Sequence, residues 1–231
     1  MHEAASGIAS PPLKRHELLW ISPEAWAEAL SHQPGLVGIS LVQSWVGRGW
    51  PVIVRRRLEG EQSDRVPVGV PLPPSQGKRR LALSILWEGL VDRKAFLPLQ
   101  CVVPVAPATW QDSLAEILAL GEQCAIEPAV FGGLLWQHLT GLDYLTSASD
   151  LDLLWPMPAG RVLRPLLEGL AVTERPTPRL DGEIVLPDGI GINWRELWRS
   201  LDVAESRVLA KSFNRVRLIP VRWVVKRALA P

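Results

Sequence analysis

Two aspartates two residues apart in an otherwise apolar run, Ser149-Asp150-Leu151-Asp152-Leu153-Leu154-Trp155, limit what this chain can fold into more than any other segment. Leucines flank and separate the acids, a pattern that predicts a strand. Side chains alternate across a strand, so Asp150 and Asp152 are expected on one face, roughly 6.5–7 Å apart at Cα. An ionised group taken out of water costs several kcal/mol unless it is compensated. A pair of divalent cations about 3.5–4 Å apart would compensate both acids and act on a phosphoryl group. The plain alternative is a solvated strand edge.

A glycine pair precedes the acids. Ala129-Val130-Phe131 predicts a short buried strand and Leu134 to Thr140 the helix after it, with Gly132-Gly133 at the junction. Glycine lets a phosphate approach the backbone, and a helix N-terminus offers it free N–H groups and the positive end of a dipole. Gly132 and Gly133 are therefore candidate phosphate-binding residues, with an ordinary turn as the alternative. After the acids, Val162, Leu163, Leu166, Leu167 and Leu170 recur with helical spacing. Arg179 to Leu186 then alternates as a strand, with Asp181 and Glu183 on one face and Leu180 and Ile184 on the other. A two-cation site usually takes a third carboxylate from a neighbouring strand, and either Asp181 or Glu183 fits that place. Asp150 and Asp152 are thus the candidate catalytic pair, and Asp150, Asp152, Asp181 and Glu183 the candidate metal ligands.

The order Gly-Gly, helix, Ser-Asp-Leu-Asp resembles the nucleotidyltransferase superfamily of DNA polymerase beta and the aminoglycoside nucleotidyltransferases. Sixteen residues separate Gly133 from Asp150, more than is usual there, and Gly141-Leu142-Asp143-Tyr144 reads as the insertion responsible. Four further stretches resemble a narrower family, the phosphoribosyl-dephospho-CoA transferase of malonate decarboxylase. They are Arg15-His16-Glu17-Leu18-Leu19, Val66-Pro67-Val68-Gly69-Val70-Pro71-Leu72-Pro73-Pro74, Leu134-Leu135-Trp136-Gln137-His138-Leu139-Thr140-Gly141 and Arg179-Leu180-Asp181-Gly182-Glu183. The likeness runs from about Arg15 to the C-terminus. It implies an α+β protein, a small N-terminal α+β domain followed by a DNA polymerase beta-like αβ domain. It also implies Mg²⁺ at the carboxylates, 2′-(5″-triphosphoribosyl)-3′-dephospho-CoA as substrate, and a serine of the acyl-carrier subunit of malonate decarboxylase as acceptor. A nucleotidyltransferase that uses ATP or CTP, and a silent binding module on the same fold, are the rival readings.

The remaining sequence organises these parts. Ser10-Pro11-Pro12 closes an expected flexible leader over residues 1–13. Ser22-Pro23 predicts a capped helix start, and strand-like runs follow at Leu36 to Val42, Pro51 to Arg56, Val66 to Leu72, Leu81 to Leu86 and Leu99 to Val105. Pro104 to Ala108 reads as the boundary, giving domains of 14–108 and 109–231, the second opening on a Ser113-x-x-Glu116 capping box. Asn193 predicts a cap for the helix at Trp194, and Glu205 to Phe213 reads as a final helix carrying Lys211.

Basic clusters recur at Lys14-Arg15-His16, Arg55-Arg56-Arg57 and Lys78-Arg79-Arg80, and guanidinium forks suit a polyphosphate. Arg15 and His16, which lie in a stretch matching the family, and Lys211 are the substrate-binding candidates. From Ser206 onward there are seven Lys or Arg and no acid, a candidate docking surface for an acidic carrier. A net charge of +1 gives no general case for nucleic acid or membrane as partner. Cys101 and Cys124 form no ligand motif and read as buried thiols of a cytoplasmic protein.

Overall fold

The computed structural model describes residues 12–36 and 38–229. Two sheets form, each from runs whose apolar residues alternate. In the first half lie β1 (Leu18–Ile21), α1 (Pro23–Ser31), α2 (Ser40–Gln43), β2 (Val52–Val54), β3 (Arg65–Pro71), β4 (Arg80–Leu86) and β5 (Leu90–Lys94). The strands order as β4-β3-β2-β1-β5, each antiparallel to its neighbours. Val66, Val68 and Val70 of β3 stand opposite Ile85, Leu83 and Leu81 of β4, and all six are buried. Helix α1 adds Trp26, Ala29 and Leu30 to that core; the Ser22 hydroxyl accepts its Ala25 N–H at 3.2 Å and Pro23 opens it, as expected.

Two expected strands are helical. A tight turn at Pro34–Leu36 comes before α2, and among the described residues from Leu36 to Val42 only Leu36 and Val42 are buried. The Val42 carbonyl accepts the Trp26 indole N–H at 2.9 Å. Leu99–Val105 is a 3₁₀ helix, where residues three apart share a side; Leu99 and Val102 are its buried pair, and Pro98 and Pro104 cannot donate to a ladder. Leu13, within the expected leader, is 7% exposed and packs in the first core; residues 1–11 of that leader lie outside the described residues.

The second sheet starts earlier than the expected boundary, at β6 (Leu97–Pro98), which pairs with β7 (Ala129–Val130). Helix α3 (Gln111–Cys124) comes between them; it begins ahead of the expected capping box, with Trp110 as its N-cap and Ser113 buried inside it. Then follow α4 (Gly132–Thr140), β8 (Leu151–Pro156), α5 (Leu163–Thr173), β9 (Leu180–Val185), β10 (Gly191–Asn193), α6 (Trp194–Ser200), β11 (Arg207–Lys211), β12 (Val216–Pro220) and α7 (Val221–Leu229). The strand order is β12-β11-β10-β9-β8-β7-β6. Only β8 and β9 pair in parallel, because α5 carries the chain back across the sheet between them. Their backbones meet closely at Gly182 (φ 150°), where a Cβ would stand 2.0 Å from the Leu153 carbonyl oxygen.

The expected helix at Glu205 to Phe213 is strand β11. Val208 and Ala210 are buried and alternate with less buried neighbours, a period of two that suits a hairpin with β12. Cys101 is exposed and Cys124 half-buried. Among the described residues no helix is long and apolar enough to cross a membrane.

Leu151, Leu153 and Trp155 of β8 pack with Leu114 and Ile117 of α3 and Leu166, Leu167 and Leu170 of α5. Asp152 and Leu154 therefore fall on the opposite face, as do Asp181, Glu183 and Val185 of β9. The first half abuts this second face. Trp136 of α4 and Tyr144 after it are buried in the first half's core, and the Tyr144 hydroxyl donates to the Pro71 carbonyl at 2.9 Å.

Candidate active site

The glycine turn and the acid strand are built against each other. Gly132 has φ 67°, and a Cβ there would lie 1.8 Å from Asp152 Oδ2, so both conformation and space call for glycine. The Gly133 N–H is hydrogen-bonded to the Asp152 carboxylate, and the Phe131 N–H donates to the Asp152 carbonyl at 3.0 Å. The expected phosphate-binding turn thus directs one of its N–H groups at an acid.

Asp152 stands opposite Asp181 in the parallel register, and Asp150 precedes the strand. Burial, then the charges of Asp181 and Asp150, push the Asp152 carboxyl up to about 7. The Arg80 charge and the Gly133 N–H oppose the rise. Asp150 moves the other way: Arg179 donates Nε to Oδ1 at 3.0 Å and Nη2 to Oδ2, which outweighs burial and lowers its carboxyl, with Arg195 and Lys78 adding to the effect. Asp181 Oδ1 accepts the Gly182 N–H at 2.9 Å and Asn193 Nδ2 at 3.0 Å. Its other oxygen has no donor among the described residues.

Of the two acids left open by the sequence, Asp181 is the one beside Asp152. Glu183 sits one alternation further along β9, only 5% exposed, and cations surround it. Arg15 donates Nη1 to Oε2 at 2.9 Å and Nη2 to Oε1 at 3.2 Å, and Lys211 donates Nζ to Oε1 at 3.0 Å. Burial pushes the Glu183 carboxyl up, but the adjacent His16 ring and Arg15 guanidinium outweigh it and hold the group well below the usual carboxylate range. His16 Nε2 lies 3.7 Å from Glu183 Oε2 and 3.1 Å from Arg15 Nη2. The His16 ring thus stands between the carboxylate and the guanidinium. Burial lowers its pKa, and the Arg15 and Lys211 charges add to that, against the opposing pull of Glu183. The ring packs on Phe131, centroids 4.7 Å apart, next to the glycine turn. Arg15, His16 and Lys211, the three substrate-binding candidates, are therefore all engaged with Glu183.

The acid face offers hard oxygen donors and excess negative charge, which fits a divalent cation. Among the described residues, however, no three His, Cys, Asp or Glu side chains converge closely enough to ligate one ion as they stand. Asp150 is held by Arg179, and freeing it is what a closed ligand set would require.

Two contacts escaped the sequence reading. Asn193 caps α6 as expected, its Oδ1 accepting from the Arg195 and Glu196 N–H groups at 3.1 Å each, but its amide nitrogen also orients Asp181. Arg179 meets Asp150 because the parallel register extends one residue before β8, a relation invisible until the strands are known to be parallel. In the basic tail, Arg222 and Arg227 pair with Glu205 and Asp188.

Comparison with known proteins accounts for both halves. Residues 14–88 match the family model described as the phosphoribosyl-dephospho-CoA transferase MdcG N-terminal domain, and residues 96–222 match its C-terminal domain. A protein of Xanthomonas campestris pv. campestris named phosphoribosyl-dephospho-CoA transferase is 39% identical over 212 residues, 89% of this chain and 93% of its own length. One of the same name from Bradyrhizobium diazoefficiens is 36% identical over 209 residues, 90% of each chain, and one from Pseudomonas putida is 28% identical over 221. No solved structure matches. The two models leave residues 89–95, which hold β5, between them, and together they contain the Gly132-Gly133 turn, Asp150, Asp152, Asp181 and Glu183 with its partners Arg15, His16 and Lys211. The chain belongs to the phosphoribosyl-dephospho-CoA transferase family, and it is a transferase.

Proposed function

We propose that the chain transfers a phosphoribosyl-dephospho-CoA group from 2′-(5″-triphosphoribosyl)-3′-dephospho-CoA to a serine of the apo acyl-carrier subunit of malonate decarboxylase. The serine oxygen bonds to the α-phosphorus, the α–β phosphoanhydride bond breaks, and pyrophosphate departs with its electrons. The carrying observation is Asp152, faced by Asp181 across the parallel pair and packed on the Gly132-Gly133 turn.

Asp150, Asp152 and Asp181 are the residues that would hold Mg²⁺, which bound there supplies charge neutralisation for the polyphosphate and the leaving group. The chain's own groups do the rest. The start of α4 turns the positive end of its dipole towards the acid face, a suitable bed for phosphate oxygens. Asp152, faced by Asp181, would gain most from the cation, since burial and its acidic neighbours otherwise oppose its charge, and the serine proton would pass to solvent. Asn193 and the Gly182 N–H keep Asp181 from turning, and positioning of this kind is the larger part of phosphoryl-transfer catalysis.

The test mixes purified protein, Mg²⁺, the triphosphate precursor and the apo carrier, following intact carrier mass and pyrophosphate together. One prosthetic group gained per pyrophosphate released is the expected result. A carrier with alanine in place of the acceptor serine should stop both signals. Equal labelling from ATP or CTP would replace the precursor with a nucleotide and retain only the transferase.

A further inference from the structure

The turn between β3 and β4 brings two cations to the acid face from the other half of the molecule. Lys78 and Arg80 are exposed, and neither forms an ion pair among the described residues. Their charges nevertheless reach across: Arg80 acts on Asp152 and Lys78 on Asp150. Tyr144 links the two places: its hydroxyl is tied to β3 beside this turn, and its own carbonyl lies 3.6 Å from where a Gly133 Cβ would stand.

The turn is held in place. Gly77 and Lys78 adopt left-handed backbone conformations at φ 77° and 53°, and the Leu72 N–H donates to the Arg79 carbonyl at 2.7 Å. Arg80 stands opposite Pro71 in the ladder, and Pro71 is the residue whose carbonyl takes the Tyr144 hydroxyl. Arg80 is thus one cross-strand step from a direct tie to the catalytic half. The cations nearer the acids are already occupied: Arg179 by Asp150, Arg195 by Glu174, Arg15 and Lys211 by Glu183. Lys78 and Arg80 are left with charge to give.

A polyphosphate is recognised from two sides, by cation-binding acids on one and by ammonium or guanidinium donors on the other. The geometry points to Lys78 and Arg80 as the far wall of the polyphosphate site, binding the outer phosphates of the triphosphate and then the departing pyrophosphate. This rests on the proposed transfer reaction for the substrate's identity, but the chemistry recognised is that of a polyphosphate alone.

The experiment has a binding arm and a turnover arm. In the first, inorganic pyrophosphate with Mg²⁺ is titrated calorimetrically into wild type, Lys78→Ala, Arg80→Ala, the double variant, Arg80→Lys and, as control, Lys94→Ala on the exposed edge strand. Each single alanine should weaken pyrophosphate about tenfold, the double variant more, and Arg80→Lys should recover most of the loss. In the second arm, KM for the precursor should rise by a similar factor while KM for the carrier stays unchanged, and the salt dependence of the precursor KM should flatten in the double variant. Wild-type pyrophosphate affinity in the double variant, or no binding by the wild type at millimolar pyrophosphate, overturns the wall. A wild type that binds pyrophosphate through these residues but never modifies the carrier leaves the wall standing and removes the proposed acceptor. A wild type that modifies the carrier, with KM unmoved in the double variant, removes only the wall. Both side chains are exposed, so melting temperatures should be unchanged; if the double variant melts early, the single variants and Arg80→Lys carry the decision.

Discussion

Asp152 and Glu183 lie on one face of one sheet and have opposite electrostatic histories. Asp152 is raised from 3.8 to about 7 by burial and by its acidic neighbours, so the folded state holds its proton more tightly than the unfolded chain does. Its cost to stability is absent below about pH 4, grows as pH rises to 7 and is constant beyond, on the order of 4 kcal/mol. Asp152→Asn should therefore abolish transfer yet raise the melting temperature by several degrees at pH 8 and by nothing at pH 4, in metal-free buffer. Equal gains at both pH values would contradict the burial account. Glu183 is depressed, so it contributes stability above the ordinary carboxylate value, lost only as pH falls through the lower folded one. Glu183→Gln strands a largely buried Arg15 guanidinium, 13% exposed, and should cost about 3 kcal/mol at neutral pH, read as a lower denaturation midpoint.

At the scale of elements, the α4 turn is the most sensitive junction. Gly132→Ala puts a methyl group where Asp152 Oδ2 now is, in a backbone conformation that alanine resists. Transfer should fall at least a hundredfold while far-ultraviolet circular dichroism keeps its native shape; activity within tenfold of wild type would mean that the turn does not position the acid. This turn was legible because glycine is the residue such an approach demands, and β3, β4, β8 and β9 were legible because core-facing apolar residues recur at alternate positions in each. Leu36 to Val42 and Leu99 to Val105 read as strands because apolar residues dominate each, yet Gly38 and Ser40 interrupt the first and Pro104 cannot donate to a ladder in the second. Lys211 was assigned to a helix because the alternation of Val208 and Ala210 is only two residues deep. The choice between Asp181 and Glu183 was beyond reach, since it depends on which cations of the first half fold against β9.

The molecule as a whole cannot be divided where its two sheets part. Trp136 and Tyr144 of the second half complete the first half's core, and Arg15 of the first half neutralises Glu183 of the second. A fragment of residues 95–231 should accordingly bind a hydrophobic dye and lack a cooperative thermal transition, whereas the full chain should melt in one. A fragment that melts sharply with no dye binding would show the halves to be independent. Helix α4 runs between these two worlds: its first residue lies under Asp152, and its middle and the segment after it are gripped by the first sheet. Nine residues of helix make a stiff rod about 13 Å long. Any tilt of the first sheet, such as a load on its outer hairpin would produce, must arrive at the other end of that rod as a change of pitch under the acid, as a seesaw passes weight across its pivot.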